Sequence, residues 1–340
     1  MAAKKATNRD PLRDIPYSLT AIPQPAHIRI AKAYAKTFFH SVRKVIVAPY
    51  TKVRWFFHRD KYRIPKDSIA QYKNIFFRAI KVTGEVPNLF EGDDYNNKIR
   101  WAMVFEKDPL IVQCTDKLAV RDYVENSIGH DYLNRIYETY SSADDIDFEK
   151  LPSSFVIKTN HDSGSVWIIR KNQVDFNRIR SLVSDSLAKR NYGWKKGEWA
   201  YRQIEPAAFS EELLSDVEEG IPDFKFHCAA GYVSFVQFIY DRLSNSPKEI
   251  ILSPNGNQLP WRLDENFNVG ENFDKPLEWS EMIKVAEHLS KPFNYVRVDL
   301  YVSDFGVRFG ELTFSPRAGN YRGKGQSVLG SVLRIHRDRF

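Results

Sequence analysis

The sequence predicts an α+β fold with interleaved helices and antiparallel hairpins, rather than a doubly wound parallel sheet. Short apolar runs come in pairs separated by turn residues, within 155–169 and again within 224–239. Longer stretches at 69–80 and 279–289 repeat their apolar residues at helical spacing. The chain has 340 residues, of which 43% are hydrophobic and 27% charged. That length and composition are enough to bury the cores of two lobes.

Positive charge is concentrated in one segment near the N-terminus. The formal net charge is +7, but residues 27–66 hold eleven Lys and Arg side chains against the single acid Asp60. This segment therefore carries +10, and the rest of the chain carries −3. An enzyme of nucleic acids more often spreads positive charge over the body of its fold, so we expect no nucleic-acid partner.

The basic segment contains a predicted amphipathic helix at residues 28–48. Aromatic and aliphatic residues such as Phe38 and Val42 recur on one face, lysines and arginines fill the other, and Pro49 limits the helix. Such a helix fits packing against the body of the protein, an anionic membrane surface, or nucleic acid. Residues 1–26 carry four prolines and are expected to be a loose tail, so that 1–66 forms one N-terminal region.

Composition also indicates a compartment. No apolar run reaches the roughly 18 residues of a membrane span, and the first residues lack the apolar core of a signal peptide. Cys114 and Cys228 are the only cysteines, which fits a reducing environment and two small buried side chains. We expect a cytoplasmic protein, with peripheral membrane contact as an option for residues 28–48. The sequence makes no prediction of oligomeric state.

The elements after the basic segment begin with a mixed region, residues 67–115, which contains a helix at 69–80 and a turn at 86–92. Thr115 is expected to cap the next helix, which ends near Gly129.

A second helix is expected at 131–140, and an acidic linker follows it at 141–150. The remaining predicted elements are strands at 155–158 and 166–169, a hairpin of 224–228 and 232–239 turning at 229–231, a helix at 279–289, and a final strand pair at 295–303 and 307–315.

The final hairpin predicts a pair of facing carboxylates. Its loop 304–306 ends in glycine and fits a type I turn followed by a left-handed residue, so paired residue numbers should sum to 610. Asp299 then lies opposite Glu311, with Cβ atoms about 5 Å apart. Either Arg297 neutralises the two carboxylates at a solvated surface, or they hold a divalent cation. On this register the carboxylate face also carries Tyr295, Arg297, Tyr301, Phe309, Thr313 and Ser315.

Two lysines are candidates for phosphate contacts. Lys158 ends an apolar strand directly before the polar loop 159–165, whose N–H groups could cradle a phosphate; an ordinary hairpin turn is the alternative. Lys225 lies on the strand 224–228 with phenylalanines on the opposite face, and an inward lysine usually has an anionic partner. His161 is interpreted as a hydrogen-bonding loop residue. The motifs GxSxG, HExxH, GxGxxG and GxxxxGK[ST] are absent.

Several segments in this order resemble the TupA-like branch of the ATP-grasp superfamily, a branch named for a teichuronopeptide biosynthesis protein. The resemblance covers roughly residues 95–330. Its segments are Trp101 and residues 116–124, 151–164, 223–228, 297–300 and 310–316.

This resemblance implies that ATP lies between two α+β subdomains, 116–205 with the phosphate loop and 206–335 with a metal site. The residues it implies for ATP are Lys117, Lys158, Ser163, Gly164, Glu211, Glu212, Leu214 and Lys225, with 211–214 as the hinge that meets adenine. The residues it implies for Mg²⁺ are Asp299, Glu311 and Thr313. The superfamily usually has Asn where this chain has Thr313, so water is expected to complete the site.

The reaction that the resemblance implies is activation of a carboxylate by ATP as an acylphosphate, followed by attack of an amine. Lys225 and Arg317 would neutralise charge during these steps. Residues 317–324 would hold an anionic acceptor such as a uronic acid or a phosphorylated sugar, unless they form a solvated basic loop. The branch points to cell-surface polysaccharide assembly.

The sequence is also compatible with three other functions. An ATP-grasp kinase would phosphorylate a sugar hydroxyl and need no amine. A non-catalytic nucleotide-binding scaffold of the same pathway should lack the phosphate lysines and carboxylates, which are present here. A nucleic-acid-binding protein should lose its binding when the basic segment is removed.

Overall fold

The computed structural model describes residues 55, 57–215 and 220–337. The chain divides into two compact units at residue 69, and each is described by itself. In the first unit, residue 55 and residues 57–61 are helical. The predicted helix at 28–48 and the expected tail at 1–26 lie outside the described residues.

After the helical residues of the first unit, the described part of the chain forms four α-helices before the first strand. They are α1 (Ile69–Thr83), α2 (Tyr95–Phe105), α3 (Pro109–Thr115) and α4 (Val120–Ile128). The helix predicted at 69–80 is confirmed as α1. All eleven residues of α2 are buried, including Lys98 and Arg100. Burial on every side makes α2 the central support of the second unit, although its mixed composition gave no clear helical signal.

The expected cap at Thr115 is wrong, because α4 begins at Val120 after a turn and its N-cap residue, Ala119, makes no side-chain cap. Thr115 is the last residue of α3, and its hydroxyl donates to the carbonyl of Ile111 at 2.6 Å. Oδ1 of Asp116 instead accepts from the N–H groups of Leu118 at 2.8 Å and Ala119 at 3.3 Å. A carboxylate accepts two such bonds better than a hydroxyl that is already engaged.

The helix expected at 131–140 is also wrong. The chain leaves α4 at Gly129, whose φ of +102° ends the helix, and then forms strand β1 (Ile136–Tyr140). Residues 136–140 alternate β-branched and aromatic side chains with a glutamate, a composition that suits a strand. Their pairing with a strand some 70 residues later is long-range, so local periodicity could not predict it.

The first sheet has four strands in the order β1-β4-β2-β3, all antiparallel. Its other strands and its covering helix are β2 (Ser154–Thr159), β3 (Val166–Arg170), α5 (Phe176–Leu187) and β4 (Ala208–Glu211). Phe155, Ile157 and Ile169 face α5 and form a core with Val183. The predicted strands at 155–158 and 166–169 are confirmed, and the sheet extends slightly beyond the predicted subdomain boundary at 205.

The second sheet has seven strands, with β11-β10-β5-β6-β7-β8 in order and β9 paired in parallel with β7. Its elements are β5 (Asp223–Ala229), β6 (Tyr232–Tyr240), β7 (Lys248–Leu252), β8 (Gln258–Leu259), β9 (Asn268–Val269), α6 (Trp279–Ser290), β10 (Tyr295–Ser303) and β11 (Gly306–Thr313). The predicted hairpin, helix and final strand pair are confirmed. Helix α6 covers one face, where Phe226, Val298 and Met282 are fully buried.

The register of the final hairpin differs from the expectation near its turn. Ser303 pairs with Gly306, so the numbers there sum to 609, and a bulge between the pairs of Asp299 and Leu300 shifts the sum to 610. Asp299 is therefore opposite Glu311 as expected. Phe309 lies in the core instead of on the carboxylate face, because the bulge at Gly310 falls between the two.

The last element is α7 (Gln326–Val332), which packs against α2. Lys98 of α2 donates from its ammonium to the carbonyls of Gly330 at 2.8 Å and Leu333 at 3.0 Å, at the C-terminal end of α7. A cation at that end satisfies carbonyls that no helical N–H reaches. Within the described parts of the chain, every helix is too short or too polar to cross a bilayer.

Candidate functional site

The polar loop after β2 is organised around the buried carboxylate of Asp162. The hydroxyls of Thr159 and Ser186 donate to it at 2.7 and 3.0 Å, and the hydroxyl of Ser165 donates as well. Burial by itself would raise the pKa of Asp162, but these donors and the ammonium of Lys117 lower it. The loop is therefore held by its own side chains.

Lys117 fastens the same loop from the chain segment before α4. Its ammonium donates to the carbonyls of Thr159 at 3.1 Å and Asp162, and its N–H donates to the carbonyl of Asn160 at 3.2 Å. Burial lowers the pKa of Lys117, against the attraction of Glu311 and Asp162. The structure thus places this predicted ATP residue beside the phosphate loop, where it organises the backbone.

Ser163 and Gly164 form the exposed tip of the loop. Gly164 has a φ of +99° with no atom near the position of a Cβ, so the tip is an open turn. The hydroxyl of Tyr192 donates to the carbonyl of Ser163 at 3.1 Å. Both tip residues remain accessible to a ligand, as the phosphate-loop prediction requires.

Lys158 and Glu211, predicted separately as a phosphate lysine and a hinge residue, form an ion pair. The side chain of Lys158 is 22% exposed and that of Glu211 is 7% exposed. Both line a small cleft to which the two sheets contribute. Its lining residues are Lys117, Arg121, Asn134, Lys158, Phe209, Glu211, Phe309 and Gly310.

The other hinge residues follow β4 directly. The N–H of Glu212 donates to the carbonyl of Arg135 at 2.9 Å, and Leu214 is half-buried. The segment 211–214 thus continues from the first sheet beside the small cleft, and its role as a hinge that meets adenine stays a prediction.

On the second sheet, Arg297 joins the two facing carboxylates. Its Nε donates to Oδ1 of Asp299 at 2.6 Å, and one terminal nitrogen reaches Oδ2 of Asp299 at 2.6 Å and Oε1 of Glu311 at 2.8 Å. That nitrogen also lies 3.0 Å from the hydroxyl of Thr313. From β5, Lys225 donates to Oδ2 of Asp299 at 2.6 Å, so the anionic partner expected for this inward lysine is present.

The two carboxyl groups respond differently to these cations. Burial raises the pKa of Asp299, although Arg297 and Lys225 oppose it. Desolvation also opposes ionisation of Glu311, but the charges of Arg297, Lys225 and Lys117 together lower its pKa to about 2. Desolvation outweighs the attraction of the cations at Asp299, which is 1% exposed, whereas the cations outweigh desolvation at Glu311, whose side chain is 38% exposed and lines a cavity.

The donor set fits Mg²⁺ in part. Carboxylate and hydroxyl oxygens are its preferred ligands, and Glu311 and Thr313 face the cavity. Asp299 has both oxygens bonded to Arg297 and Lys225, so it can join a metal only if one of these cations shifts. The described residues contain no cluster of three His, Cys, Asp or Glu side chains that would hold a metal alone. A site completed by nucleotide phosphates and water fits this set.

A cavity of about 590 Å³ connects these groups. Ser163 of the phosphate loop lines it together with Lys225, Arg297, Glu311 and Thr313 from the second sheet. Arg317, Asn320 and Arg322 line it as well. The cavity therefore collects residues that the sequence analysis predicted from separate motifs.

Arg317 is presented to the cavity by an unusual backbone. Arg317, Ala318 and Gly319 have φ values of +52°, +52° and +63°, which is one left-handed turn that includes two non-glycine residues. The guanidinium of Arg317 donates from Nε to Oδ2 of Asp264 at 2.8 Å. Such strain persists only where the surroundings enforce it, and it occurs often at functional sites.

Helix α2 enforces this left-handed turn. The amide of Asn96 forms a reciprocal pair with the backbone of Tyr321, at 2.8 and 3.0 Å. Arg100 donates to Oδ1 of Asn320 at 3.2 Å, and a Cβ at Gly319 would meet Arg100 at 2.9 Å. Burial lowers the pKa of Arg100 to about 10. The buried helix thus fixes the segment that carries Arg317.

Sequence reasoning missed several residues that line the cavity. They include Arg78, Lys81, Lys196, Glu198, Tyr201, Gln237, Arg242 and Asp264. Asp223 pairs with Arg242 and is the first residue of β5, the strand that carries Lys225. Because Asp223 stands two residues before Lys225, both lie on the same face of the strand, and this spacing could have identified Asp223. Arg78 and Lys81 stand three residues apart on one helix, but nothing in the sequence joined α1 to the site.

Comparison with protein-family models identifies one family. A model described as TupA-like ATPgrasp matches residues 97–331, close to the range of the predicted resemblance. Curated proteins gave no match.

Two of the solved structures that match are an ATP-grasp ligase and a D-alanine–D-alanine ligase. The ATP-grasp ligase PsnB complexed with minimal precursor is 14% identical, with a TM-score of 0.39 over 66% of this chain and 60% of that chain. D-Alanine–D-alanine ligase from Bacillus anthracis is 16% identical, with a TM-score of 0.38 over 65% of this chain and 66% of that chain. The chain thus spans less than two thirds of the length of PsnB.

The family match covers more than half of the chain, and it includes both sheets from β1 to β11. The two antiparallel sheets and their helices are the α+β architecture of the ATP-grasp fold, and the protein belongs to the TupA-like ATP-grasp family.

Proposed function

We propose that the protein is an ATP- and Mg²⁺-dependent ligase that activates a carboxylate as an acylphosphate and joins it to an amine. The carboxylate would belong to a sugar acid or an amino acid, in the biosynthesis of a bacterial cell-surface polysaccharide. The observation that carries the proposal is the cavity of about 590 Å³ that is shared by the phosphate-loop tip, Lys225, Glu311 and Arg317.

The nucleotide would lie between the sheets. Its base would occupy the small cleft beside Glu211 and its phosphates would extend toward Ser163, with Lys158 on one side and Lys225 on the other. Lys158 is now paired with Glu211, and phosphate would compete for its ammonium. Glu311 and Thr313, with Asp299 behind them, would hold Mg²⁺, which neutralises phosphate charge when it is bound.

The chain's own residues would act by positioning and charge neutralisation. Arg317 would bind the acceptor carboxylate in line with the γ-phosphate, and Lys225 would stabilise the charge of the transferring phosphoryl group. A carboxylate oxygen forms a bond to the γ-phosphorus while the bond to the ADP oxygen breaks. The amine nitrogen then bonds to the acyl carbon, and phosphate leaves with a proton from nitrogen. No protein nucleophile is required.

The direct test is a screen for ADP release with uronic acids and amino acids as carboxylates, each with and without amines. Hydroxylamine should intercept the activated acceptor as a hydroxamate in the absence of any other amine. A stable phosphorylated sugar that forms without an amine would identify a kinase instead. Nucleotide binding with no ADP release across the whole screen would favour a scaffold.

A further inference from the structure

Helix α1 contributes two cations to the cavity although it precedes the family match. Arg78 and Lys81 both line the cavity, and they lie three residues apart, so they project from one face of the helix. Nε of Arg78 is buried without a hydrogen bond. The sequence analysis assigned no role to either residue, and the proposed reaction does not use them.

Cationic side chains outnumber acidic ones among the residues that line the cavity. Its cationic lining residues are Arg78, Lys81, Lys196, Lys225, Arg242, Arg297, Arg317 and Arg322. Its acidic lining residues are Glu198, Asp264 and Glu311. Eight cations against three acids would attract anions strongly into a concave site.

Most of these cations already have carboxylate partners. Lys225 and Arg297 pair with Asp299, Arg242 pairs with Asp223, and Arg317 pairs with Asp264. The remaining paired cation is Lys196, whose ammonium lies 3.7 Å from Oε2 of Glu198.

Three cations are left over. Among the described residues, Arg78, Lys81 and Arg322 form no ion pair, although the charge of Arg78 opposes the rise in pKa that burial causes at Glu198. Cations without an ion-pair partner that face one cavity repel each other, and a bound anion would relieve this repulsion. In the proposed reaction the ATP phosphates would contact Lys158 and Lys225 and the acceptor carboxylate would contact Arg317, so neither is assigned to these three cations.

We propose that Arg78, Lys81 and Arg322 bind a second anionic group of the acceptor. This inference rests on the proposed ligase function and deepens it, because it makes the acceptor a polyanion. The second group is a phosphate or pyrophosphate on the same sugar acid, or a further carboxylate along an acidic oligosaccharide. Guanidinium and ammonium groups recognise both chemistries through charge-assisted hydrogen bonds.

The experiment compares the KM of the full-length protein for three acceptors: a monomeric uronic acid, a nucleoside-diphosphate-linked uronic acid and an oligouronic acid. At least one polyanionic acceptor should have a KM about ten-fold lower than the monomer, since one charged hydrogen bond is worth that much. The acceptor that gains identifies the source of the second anion. Equal KM values for all three would overturn the proposal.

The variant test uses Arg78→Gln with Lys81→Gln, and Lys73→Gln as the matched control. Lys73 is an exposed lysine of the same helix that does not line the cavity. The double variant should lose most of the KM advantage of the polyanion over the monomer, and the control should keep it. A double variant that raises both KM values equally would assign α1 a structural role and refute the binding role.

Equilibrium binding separates this inference from the proposed function. If no acceptor supports ADP release, the ligase proposal fails. Tighter binding of the polyanion than of the monomer to the intact protein, weakened by added salt, would then still support the anion site. Equal binding of both compounds would refute it. If the double variant does not fold, this comparison of polyanion and monomer binding to the intact protein still tests the anion site.

Discussion

At the scale of single residues, the site is governed by how two facing carboxylates are neutralised. Arg297 bonds both of them, and Lys225 adds a second cation to Asp299 alone. Of the two alternatives that the sequence left open, neutralisation by Arg297 is present in the structure, but Arg297 and Asp299 are buried and do not lie at the solvated surface that was expected. Metal binding by the same pair stays a prediction, and it depends mainly on Glu311, which is the more accessible carboxylate.

Asp299→Asn should destabilise the protein far more than Glu311→Gln. The first change leaves Lys225 and Arg297 buried beside a neutral amide, and breaking a buried ion pair costs about 3–5 kcal/mol. The second removes a carboxylate that is 38% exposed, so it should cost less stability but raise the Mg²⁺ concentration needed for ATP binding. Urea unfolding and Mg²⁺ titration measure the two effects; equal losses of stability would contradict this assignment.

Glu311 should also make stability depend on acid. Its folded pKa of about 2 lies below the ordinary value of 4.5, so the folded state binds fewer protons than the unfolded state between these values. The stabilisation is complete above pH 4.5 and disappears as the pH falls toward 2. The stability difference between wild type and Glu311→Gln, measured by urea unfolding at successive pH values, should shrink over this window. A difference that stays constant would argue against a depressed pKa.

Lys158→Met should weaken ATP binding by about ten-fold or more, because one charge-assisted hydrogen bond to phosphate is lost. Lys158 is partly exposed at a strand end, so the fold should survive, although Glu211 loses its partner. Lys171→Met is the matched control, since Lys171 follows the neighbouring strand β3 and its ammonium donates to the backbone carbonyl of Glu149 at 3.3 Å. Equal ATP affinity in the two variants would reject the assignment of Lys158.

At the scale of elements, the local signals predicted strands well and long-range pairing poorly. Apolar runs bounded by turn residues located β2, β3, β5 and β6, because both ends of each hairpin are close in sequence. Strand β1 was mistaken for a helix, since its partner β4 lies some 70 residues away. The sequence also did not predict the bulge at Gly310 in the final hairpin. The predicted turn was one residue too long, and the bulge shifts the register back by one residue, so Asp299 still lies opposite Glu311.

Gly310→Ala should therefore disturb the site, and Gly306→Ala should not. A Cβ at Gly310 would lie 2.6 Å from the ring of Tyr301 and 3.0 Å from the carbonyl of Asp299, so the bulge must move and Glu311 with it. Gly306 has a φ of +87° and open space around it, so its alanine variant costs only about 1 kcal/mol of backbone strain. Mg²⁺-dependent ATP binding, compared at matched fractions folded, distinguishes them; a Gly310→Ala protein with unchanged binding would show that the bulge does not position Glu311.

At the scale of the whole molecule, the site depends on helices α1 and α2, which no single sequence motif connects with it. Local patterns singled out Lys158 and Lys225, and the family resemblance added Lys117 and Arg317. Neither source predicted that α1 lines the cavity or that α2 supports a left-handed turn. The contacts of α1 with Trp194 and Gly197 join residues 120 and 126 positions apart, and those of α2 with Asn320 and Tyr321 join residues 220 and 225 positions apart. The charge is also unevenly distributed along the chain: the basic segment 27–66 carries +10 and the rest of the chain carries −3.

The basic segment should bind anionic vesicles without contributing to catalysis. Replacing Lys32, Lys36, Arg43 and Lys44 with glutamine removes four of its eleven cations and leaves the apolar positions of the predicted helix intact. Cosedimentation with phosphatidylserine vesicles should fall in this variant, and it should fall in wild type as salt is added, because surface charges are screened within about 10 Å at 0.1 M. ATP turnover on a soluble acceptor should be equal in both proteins.

The outcomes of this experiment separate the alternatives for the segment. Wild type that does not bind vesicles at low salt would favour a helix packed on the protein. Loss of turnover in the variant would mean that the segment is part of the catalytic body. Vesicle binding that resists salt would indicate that the apolar face, rather than the charge, provides the affinity, since only the electrostatic contribution is screened.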